Sequence, residues 1–221
     1  MRKPQQLIIL GTAGNCIDIL DTAWTLNRVA SHPQFECIGF LDDDESKWGT
    51  SIHDVAVLGP LSSAPDYPDA VFVNGIGSTS TFWKKAEIIE KTDIPDERFV
   101  SLVHPSASVS TLSTLGPGTV VFQHVTICNN VTVGKHVIVL PGSVLSHDDV
   151  VGDYTCVAGS VCVSGSVSIG KSCYLGTNCT IREMTNIADY CLVGMSSAVF
   201  NDVPENSVVV GNPARFLRHT R

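Results

Sequence analysis

Residues 103–144 read VHPSAS VSTLST LGPGTV VFQHVT ICNNVT VGKHVI VLPGSV, with valine, leucine or isoleucine at the start of every group of six. The same register continues without a slip to Val199, so that it covers seventeen consecutive hexads. A fixed short period of this kind is the mark of a solenoid, in which each repeat packs on the next. The repeat therefore predicts the architecture of the second half of the chain.

The period of six indicates short strands joined by corners. It matches neither the 3.6-residue period of an amphipathic helix nor a long alternating strand. Three such segments close a coil of eighteen residues, and successive coils stack at the strand spacing of roughly 4.8 Å. The aliphatic first positions then form one inner column, to which every coil contributes. The sequence predicts a parallel β-helix, and the period excludes a coiled coil.

The fifth position of the hexad also points inward. It carries mostly small or β-branched residues, which suit a narrow interior: Ala107, Thr119, Val131, Thr155, Cys173, Cys179 and Cys191. Asp149 is the one clear exception. An unpaired carboxylate there would cost several kcal/mol. Asp149 must therefore be hydrogen-bonded, or its corner must be distorted.

One glycine recurs at the same place in four successive coils. These residues are Gly116, Gly134, Gly152 and Gly170. Glycine at a corner indicates either a positive φ or the close approach of another backbone segment, and the spacing alone allows both.

Composition limits the classes of function. The chain has 221 residues and a formal net charge of −8, which argues against a nucleic-acid partner. No stretch approaches the roughly eighteen apolar residues of a membrane span, so we expect no membrane insertion. The eight cysteines lack metal-finger spacing. We interpret them as small core residues of a cytoplasmic protein and expect no metal.

The first hundred residues alternate strands with helices. Apolar strands are predicted at residues 6–10, 35–41 and 70–73, with helices at about 17–29 and 82–91. This order is typical of a small parallel α/β sheet of Rossmann type. We therefore expect an α/β domain over residues 1–102 and a β-helix domain over residues 103–221.

Each predicted strand ends in glycine or aspartate, and ligands of such sheets bind at the carboxyl ends of the strands. Glycines at a helix start favour a phosphate, and carboxylates can accept hydrogen bonds from a ribose or a base. The pattern after the first strand is GxxGN and not the full GxGxxG fingerprint of dinucleotide-binding proteins. This difference favours a mononucleotide or nucleotide-sugar over a nicotinamide cofactor. The candidate substrate-binding residues are Gly11, Thr12, Ala13, Gly14, Asn15, Asp42, Asp43 and Gly77.

His147 is the candidate catalytic base. The adjacent Asp148 could fix the tautomer of its ring and make it a better proton acceptor, although Asp149 remains a rival partner. Residues eighteen apart stack, so Gly165 should lie one coil above the histidine. We expect a gap there, in which a thioester could lie.

Taken together, these motifs resemble those of bacterial sugar acyltransferases that join a small α/β domain to a left-handed β-helix. The likeness covers residues 7 to about 216, and its closest branch is the acetyl-CoA-dependent nucleotide-aminosugar N-acetyltransferases, with sialic acid O-acetyltransferases related. It implies the left hand of the coil. The motifs that carry it are Gly11-Thr12-Ala13-Gly14-Asn15, Phe40-Leu41-Asp42-Asp43, Ile76-Gly77-Ser78, Ser146-His147-Asp148 and Val210-Gly211-Asn212-Pro213-Ala214-Arg215.

The resemblance also implies roles and partners. His147 is the general base, Asp148 supports it, and the active site lies between the subunits of a homotrimer. The acetyl-CoA channel falls on Cys156, Gly165, Thr177 and Met195. The chain departs from the family at three positions: Cys156 stands for a second histidine, Leu140 for an asparagine and Asn15 for a histidine.

The sequence thus predicts transfer of acetyl from acetyl-CoA to the amino group of a nucleotide-linked 4-amino-deoxysugar, with UDP as the expected nucleotide, in the synthesis of surface-glycan or glycoprotein sugars. Acetylation of a hydroxyl on sialic acid or another sugar is the first alternative, and non-catalytic binding of a nucleotide-sugar is the second. A zinc-dependent carbonic anhydrase of the same fold would need three clustered histidines. The histidines at 124, 136 and 147 share no corner line.

Overall fold

The computed structural model describes residues 3–220 and begins with a five-stranded sheet. The strands are β1 (Gln5–Leu10), β2 (Phe35–Leu41), β3 (Ser51–Ile52), β4 (Val55–Gly59) and β5 (Val71–Asn74), in the order β3-β4-β2-β1-β5. The helices are α1 (Gly14–Val29) and α2 (Lys85–Glu90), with short 3-10 turns at Glu45–Lys47, Leu61–Asp66, Phe82–Lys84 and Asp96–Arg98. The predicted α/β sheet is confirmed, with four parallel strands and one antiparallel edge strand, β3.

Strand β1 lies between β2 and β5, and both of its faces are covered. Its last four residues, Leu7 to Leu10, are fully buried, as expected for a parallel strand between layers. Helix α1 packs its buried Ile19, Leu20 and Ala23 in one cluster with Leu7 and Ile9 of β1, whereas Ile8 and Leu10 belong to a second buried cluster.

The hairpin of β3 and β4 was not predicted. Its two strands pair antiparallel through the turn residues His53 and Asp54, which adopt φ values of 48° and 64°. Two consecutive left-handed residues are typical of a tight hairpin turn, but the usual glycine signal is absent here. Strand β4 joins the sheet beside β2.

Seventeen two-residue strands follow in the described chain, one for each hexad. They are β6 (Leu102–Val103), β7 (Ser108–Val109), β8 (Thr114–Leu115), β9 (Val120–Val121), β10 (Thr126–Ile127), β11 (Thr132–Val133), β12 (Ile138–Val139), β13 (Val144–Leu145), β14 (Val150–Val151), β15 (Cys156–Val157), β16 (Cys162–Val163), β17 (Ser168–Ile169), β18 (Tyr174–Leu175), β19 (Thr180–Ile181), β20 (Asn186–Ile187), β21 (Leu192–Val193) and β22 (Ala198–Val199).

Each strand from β6 to β19 pairs in parallel with the strand eighteen residues further on, as β9 does with β12. Three parallel sheets result, and they form the walls of a left-handed β-helix. Strands β23 (Ser207–Val210) and β24 (Arg215–His219) extend one wall and end it with an antiparallel pair. The predicted β-helix is confirmed.

The interior of the β-helix is one continuous apolar column. First-position residues from Val121 to Val199 form a single buried cluster, together with inward cysteines such as Cys173 and Cys179. Asp149 is fully buried in the same wall. Every cysteine of the described chain is a free thiol.

The recurrent glycines mark close contact between coils rather than a positive φ. A Cβ atom on Gly152 would lie 2.5 Å from the carbonyl carbon of Gly170 and 2.6 Å from the nitrogen of Lys171. Gly152 does not adopt a positive φ. The second of the two explanations therefore holds, because the backbone of the next coil occupies the space that a side chain would need.

The sheet is docked on the first coils of the β-helix. One buried cluster joins Ile19 of α1 and Phe40 of β2 to three residues of the β-helix wall, Val120, Phe122 and Ile138. The carboxyl edge of the sheet therefore has a fixed position relative to the coils.

Neither a membrane-crossing helix nor a cluster of metal ligands occurs in the described part of the chain. Among residues 3–220, no helix has the length and apolarity that crossing a membrane requires. Within the same part of the chain, no group of three or more histidine, cysteine, aspartate or glutamate side chains is placed to hold a metal ion.

The glycine contacts predict a selective loss of stability. We expect Gly152→Ala to lower the free energy of unfolding by about 1–3 kcal/mol, because the next coil must shift. Gly159→Ala is the matched control, since its Cβ would meet only Pro141 O at an ordinary 3.5 Å. Urea unfolding at one protein concentration measures both variants, and equal losses would contradict the close-contact explanation.

Candidate active site

A cavity of about 250 Å³ lies at the carboxyl ends of β1, β2 and β5. These three strands are neighbours in the sheet, so the loops that follow them converge. The lining residues are Gly11, Thr12, Ala13, Asn15, Cys16, Asp42, Gly75, Ile76, Gly77, Ser78 and Thr81. The structure thus brings together six of the eight predicted substrate-binding residues.

The turn after β1 requires glycine at its first position. Gly11 has a φ of +91°, and a Cβ atom there would lie 2.8 Å from Cγ1 of Ile76 and 2.9 Å from Sγ of Cys16. Helix α1 then begins at Gly14 with Ala13 as its N-cap, and no side chain caps its first N–H groups. An uncapped helix start in a cavity wall favours an anionic group such as a phosphate.

Asp42 is held rigidly in the cavity wall. Its Oδ2 accepts a hydrogen bond from the Thr12 hydroxyl and lies 3.3 Å from Lys47 Nζ. Its Oδ1 accepts from the Asp44 backbone N–H at 3.0 Å. The Lys47 ammonium group, which the sequence analysis did not single out, adds a positive charge beside the cavity.

Asp43 and Gly14 do not line the cavity. The Asp43 carboxylate lies 2.9 Å from Lys91 Nζ and accepts from the Leu61 backbone N–H at 3.0 Å. Asp43 connects the loop after β2 to neighbouring segments, and its expected contact with a nucleoside stays a prediction.

His147 and Asp148 form an exposed pair on a corner of the β-helix. Nδ1 of His147 lies 2.8 Å from Oδ2 of Asp148, and the two side chains are 58% and 50% exposed. A carboxylate can only accept, so Nδ1 carries the proton and Nε2 is free to accept one. Hydrogen bonds from His147 and then from Asn130 lower the pKa of Asp148. Asp148, rather than Asp149, is thus the partner of the histidine.

The imidazole ring of His147 rests on Gly165. A Cβ atom at Gly165 would lie 2.5 Å from Cε1 and 2.6 Å from Nε2 of the ring. The expectation of an empty gap for a thioester was therefore wrong, because the histidine itself fills that space. Gly165 is needed so that the ring can lie flat against the next coil.

The remaining predicted residues divide into two groups. Thr177 and Met195 lie on another corner line, where Met195 is 78% exposed. Cys156 is only 4% exposed and lies beneath the loop after β5, where its Sγ would be 2.6 Å from a Cβ on Gly77. It faces the α/β sheet rather than the corner line of Thr177 and Met195. Leu140 packs against the cluster shared by the sheet and the first coils.

His136 is buried, although it occupies the fourth hexad position, where surface side chains are ordinary. Its side chain is 1% exposed, with its ring edge-on to Phe99 and stacked on Tyr154. Burial, and next the charge of Lys85, lower its pKa to about 4. Lys85 is itself fully buried and donates to the His136 carbonyl oxygen at 2.6 Å. Both side chains belong to the junction between the sheet and the coils.

Comparison with known proteins gives structural matches only. No family model and no curated sequence matches the chain. The acetyltransferase domain of PglB from Neisseria gonorrhoeae matches with a TM-score of 0.82 at 22% identity, over 96% of this chain and 100% of that domain. WeeI from Acinetobacter baumannii matches with a TM-score of 0.80 at 24% identity, over 96% and 99%.

A third match is PerB from Caulobacter crescentus, solved in complex with CoA and GDP-perosamine. Its TM-score is 0.82 at 21% identity, over 96% of this chain and 97% of that one. The chain has the fold of these proteins. The predicted combination of an α/β sheet with a β-helix is therefore shared over nearly the whole length.

The contact between His147 and Gly165 predicts the effect of one methyl group. In Gly165→Ala the imidazole must swing into solvent, so the hydrogen bond to Asp148 is lost and the pKa of Asp148 rises. A crystal structure of the variant and a carboxyl ¹³C NMR titration check this. Because His147 is exposed, we expect the melting temperature to change by less than about 2 °C. An unmoved ring would contradict the prediction.

Proposed function

We propose that this protein transfers the acetyl group of acetyl-CoA to the amino group of a nucleotide-linked 4-amino-deoxysugar, with UDP as the nucleotide. One observation carries the proposal. The chain combines an exposed His147–Asp148 pair with a strand-end cavity, on the fold of an acetyltransferase domain solved with acetyl-CoA and of PerB solved with CoA and GDP-perosamine.

His147 serves as general base in the proposed reaction. As the amine nitrogen attacks the thioester carbonyl, Nε2 of His147 accepts the proton that the nitrogen loses. Asp148 holds the Nδ1–H tautomer through the 2.8 Å hydrogen bond. A backbone amide near Gly165 stabilises the negative charge on the carbonyl oxygen. The amide C–N bond forms, the C–S bond breaks and the CoA sulfur leaves as thiolate.

The cavity at the sheet edge is the proposed site for the nucleotide. The uncapped start of α1 at Ala13 attracts the diphosphate, and the glycines of the two loops let its oxygens approach the backbone. Asp42 accepts hydrogen bonds from the nucleoside, and Lys47 balances its charge.

Acetyl-CoA is proposed to lie along the exposed corner residues Thr177 and Met195, between two chains of a homotrimer. A methionine that is 78% exposed suits an interface with a neighbouring chain. Residues 1–102 would bind the nucleotide-sugar, and residues 103–221 would supply the base and the acetyl-CoA site. Free thiols throughout the core suit the reducing cytoplasm. Light scattering should give a mass three times that of one chain.

The central test is His147→Ala, assayed with acetyl-CoA and a UDP-4-amino-sugar. We expect kcat to fall about 100-fold or more, because a positioned base contributes that much. His124→Ala is the matched control, since His124 is also an exposed histidine at a corner but has no neighbouring carboxylate. Unchanged turnover in His147→Ala would show that His147 is not the general base.

The same assay identifies the acceptor. The kcat/KM values for UDP, GDP and dTDP amino sugars show which nucleotide is preferred. Sialic acid serves as the hydroxyl acceptor and shows whether nitrogen or oxygen is acetylated. Transfer to a hydroxyl alone would replace the amine acceptor, and binding without transfer would indicate a non-catalytic nucleotide-sugar protein.

A charge at the start of α1 tests the nucleotide site separately. We expect Ala13→Glu to raise the KM for the nucleotide-sugar about tenfold by repelling its diphosphate, and to leave the KM for acetyl-CoA unchanged. Ala13→Gln has nearly the same size without the charge and should change neither value by more than about twofold. Equal effects of the two variants would show that bulk, not charge, is responsible.

A further inference from the structure

Four of the inward hydroxyl-bearing residues of the β-helix share one hydrogen-bonding pattern, which Thr185 and Ser197 do not follow. In each case the hydroxyl donates to the carbonyl oxygen fifteen residues ahead, at 2.6–2.9 Å, and accepts from the backbone N–H eighteen residues ahead, at 2.9–3.3 Å. The residues with this pattern are Ser113, Thr119, Ser143 and Thr155. Each side chain therefore joins its own coil to two backbone groups of the next.

Asp149 occupies the same position with a different chemistry. Its Oδ1 accepts from the Val167 N–H at 2.9 Å, which is the bond to the residue eighteen ahead. Its Oδ2 is buried and has no hydrogen-bond donor. By the shared pattern, the carbonyl fifteen residues ahead is that of Ser164. An ionised carboxylate offers that carbonyl only another acceptor, whereas a protonated carboxyl can donate to it.

We propose that Asp149 is a positioning residue that acts as a neutral acid. Its proton forms the hydrogen bond to the Ser164 carbonyl oxygen and completes the pattern of the inward hydroxyls. Ser164 directly precedes Gly165, on which the His147 ring rests, and Asp149 follows His147 by two residues. The hydrogen bond therefore ties the corner that carries the histidine to the corner that supports its ring.

Burial and the negative charge of Asp148 favour the neutral form of Asp149, and they outweigh the opposing effects of the Val167 and Ser146 backbone N–H groups and of His147. The ionisable groups of its own corner are His147 and Asp148, and the latter is already a carboxylate. The same corner of the coils below and above carries the uncharged Asn130 and Ser166. The other fifth positions of the three stacked coils hold no titratable side chain: Thr119, Val125, Val131, Val137, Ser143, Thr155, Val161 and Val167.

Burial raises the pKa of Asp149 from 3.8 to about 6. The folded protein therefore keeps a proton that the unfolded chain loses between these two values. The stabilising contribution is complete below about pH 4 and is lost as the pH rises through about 6. Loss of the proton would weaken the link between the two corners.

Two neutral replacements test the proposal by stability. Asp149→Asn keeps a donor and an acceptor in the same shape, and Asp149→Thr reproduces the hydroxyl of Thr119 and Thr155. We expect both variants to melt about 5 °C or more above the wild type at pH 8 and within about 2 °C of it at pH 4.5. Asp149→Val removes both bonds and should melt below Asp149→Asn by an amount that does not depend on pH.

A measurement on the unaltered protein keeps the test independent of how the variants fold. With ¹³C-carboxyl-labelled aspartate, the Asp149 resonance, assigned by its absence in Asp149→Asn, should titrate near pH 6. A resonance that titrates near the ordinary value, or an equal difference in melting temperature at both pH values, would overturn the proposal.

Kinetics test whether Asp149 positions His147, and this test alone rests on the proposed function. We expect the ratio of kcat for Asp149→Asn to kcat for the wild type to rise about threefold or more between pH 5 and pH 8. A purely structural role would leave that ratio constant. If no acetyl transfer is found at all, the proposed function fails, while the titration and the melting temperatures still decide the state of Asp149.

Discussion

The pairing of strand residues eighteen apart is the constraint on which the rest of the structure depends. Each short strand is bonded to the strand one coil ahead, so side chains in the same position of successive coils must stack. This register places the His147 ring on Gly165 and the Asp149 carboxyl beneath the Val167 amide. The candidate catalytic corner is therefore a product of the same repetition that builds the core.

Features that repeat could be predicted from the sequence. The hexad register gave the β-helix, its inward fifth positions and the stacking of position 147 beneath 165, because each coil repeats the same physical environment. Asp148 could be named as the partner of His147, yet the sequence left Asp149 as a rival. Only the structure separates them, since the Asp148 carboxylate faces the ring and the Asp149 side chain faces the interior.

Contacts between segments that are distant in the sequence could not be predicted. His136 occupies a hexad position that is usually exposed, but Phe99 and the buried Lys85 cover it from the α/β sheet. Asp43 contacts Lys91, which lies far from it in sequence, and so does not line the cavity as expected. Such contacts occur once in the molecule and leave no period to detect. The local pattern at the ends of the strands was sufficient only to predict where the cavity lies.

The contact between His147 and Gly165 also limits how chains of this design can diverge. As long as selection preserves the histidine, position 165 has to remain glycine, because any Cβ would occupy the volume of the ring. A descendant that no longer needs the histidine is released from this restriction and is free to accumulate larger residues at 165. The pair of positions therefore keeps a record of ancestry: a side chain at 165 identifies a copy in which the imidazole has been abandoned or moved.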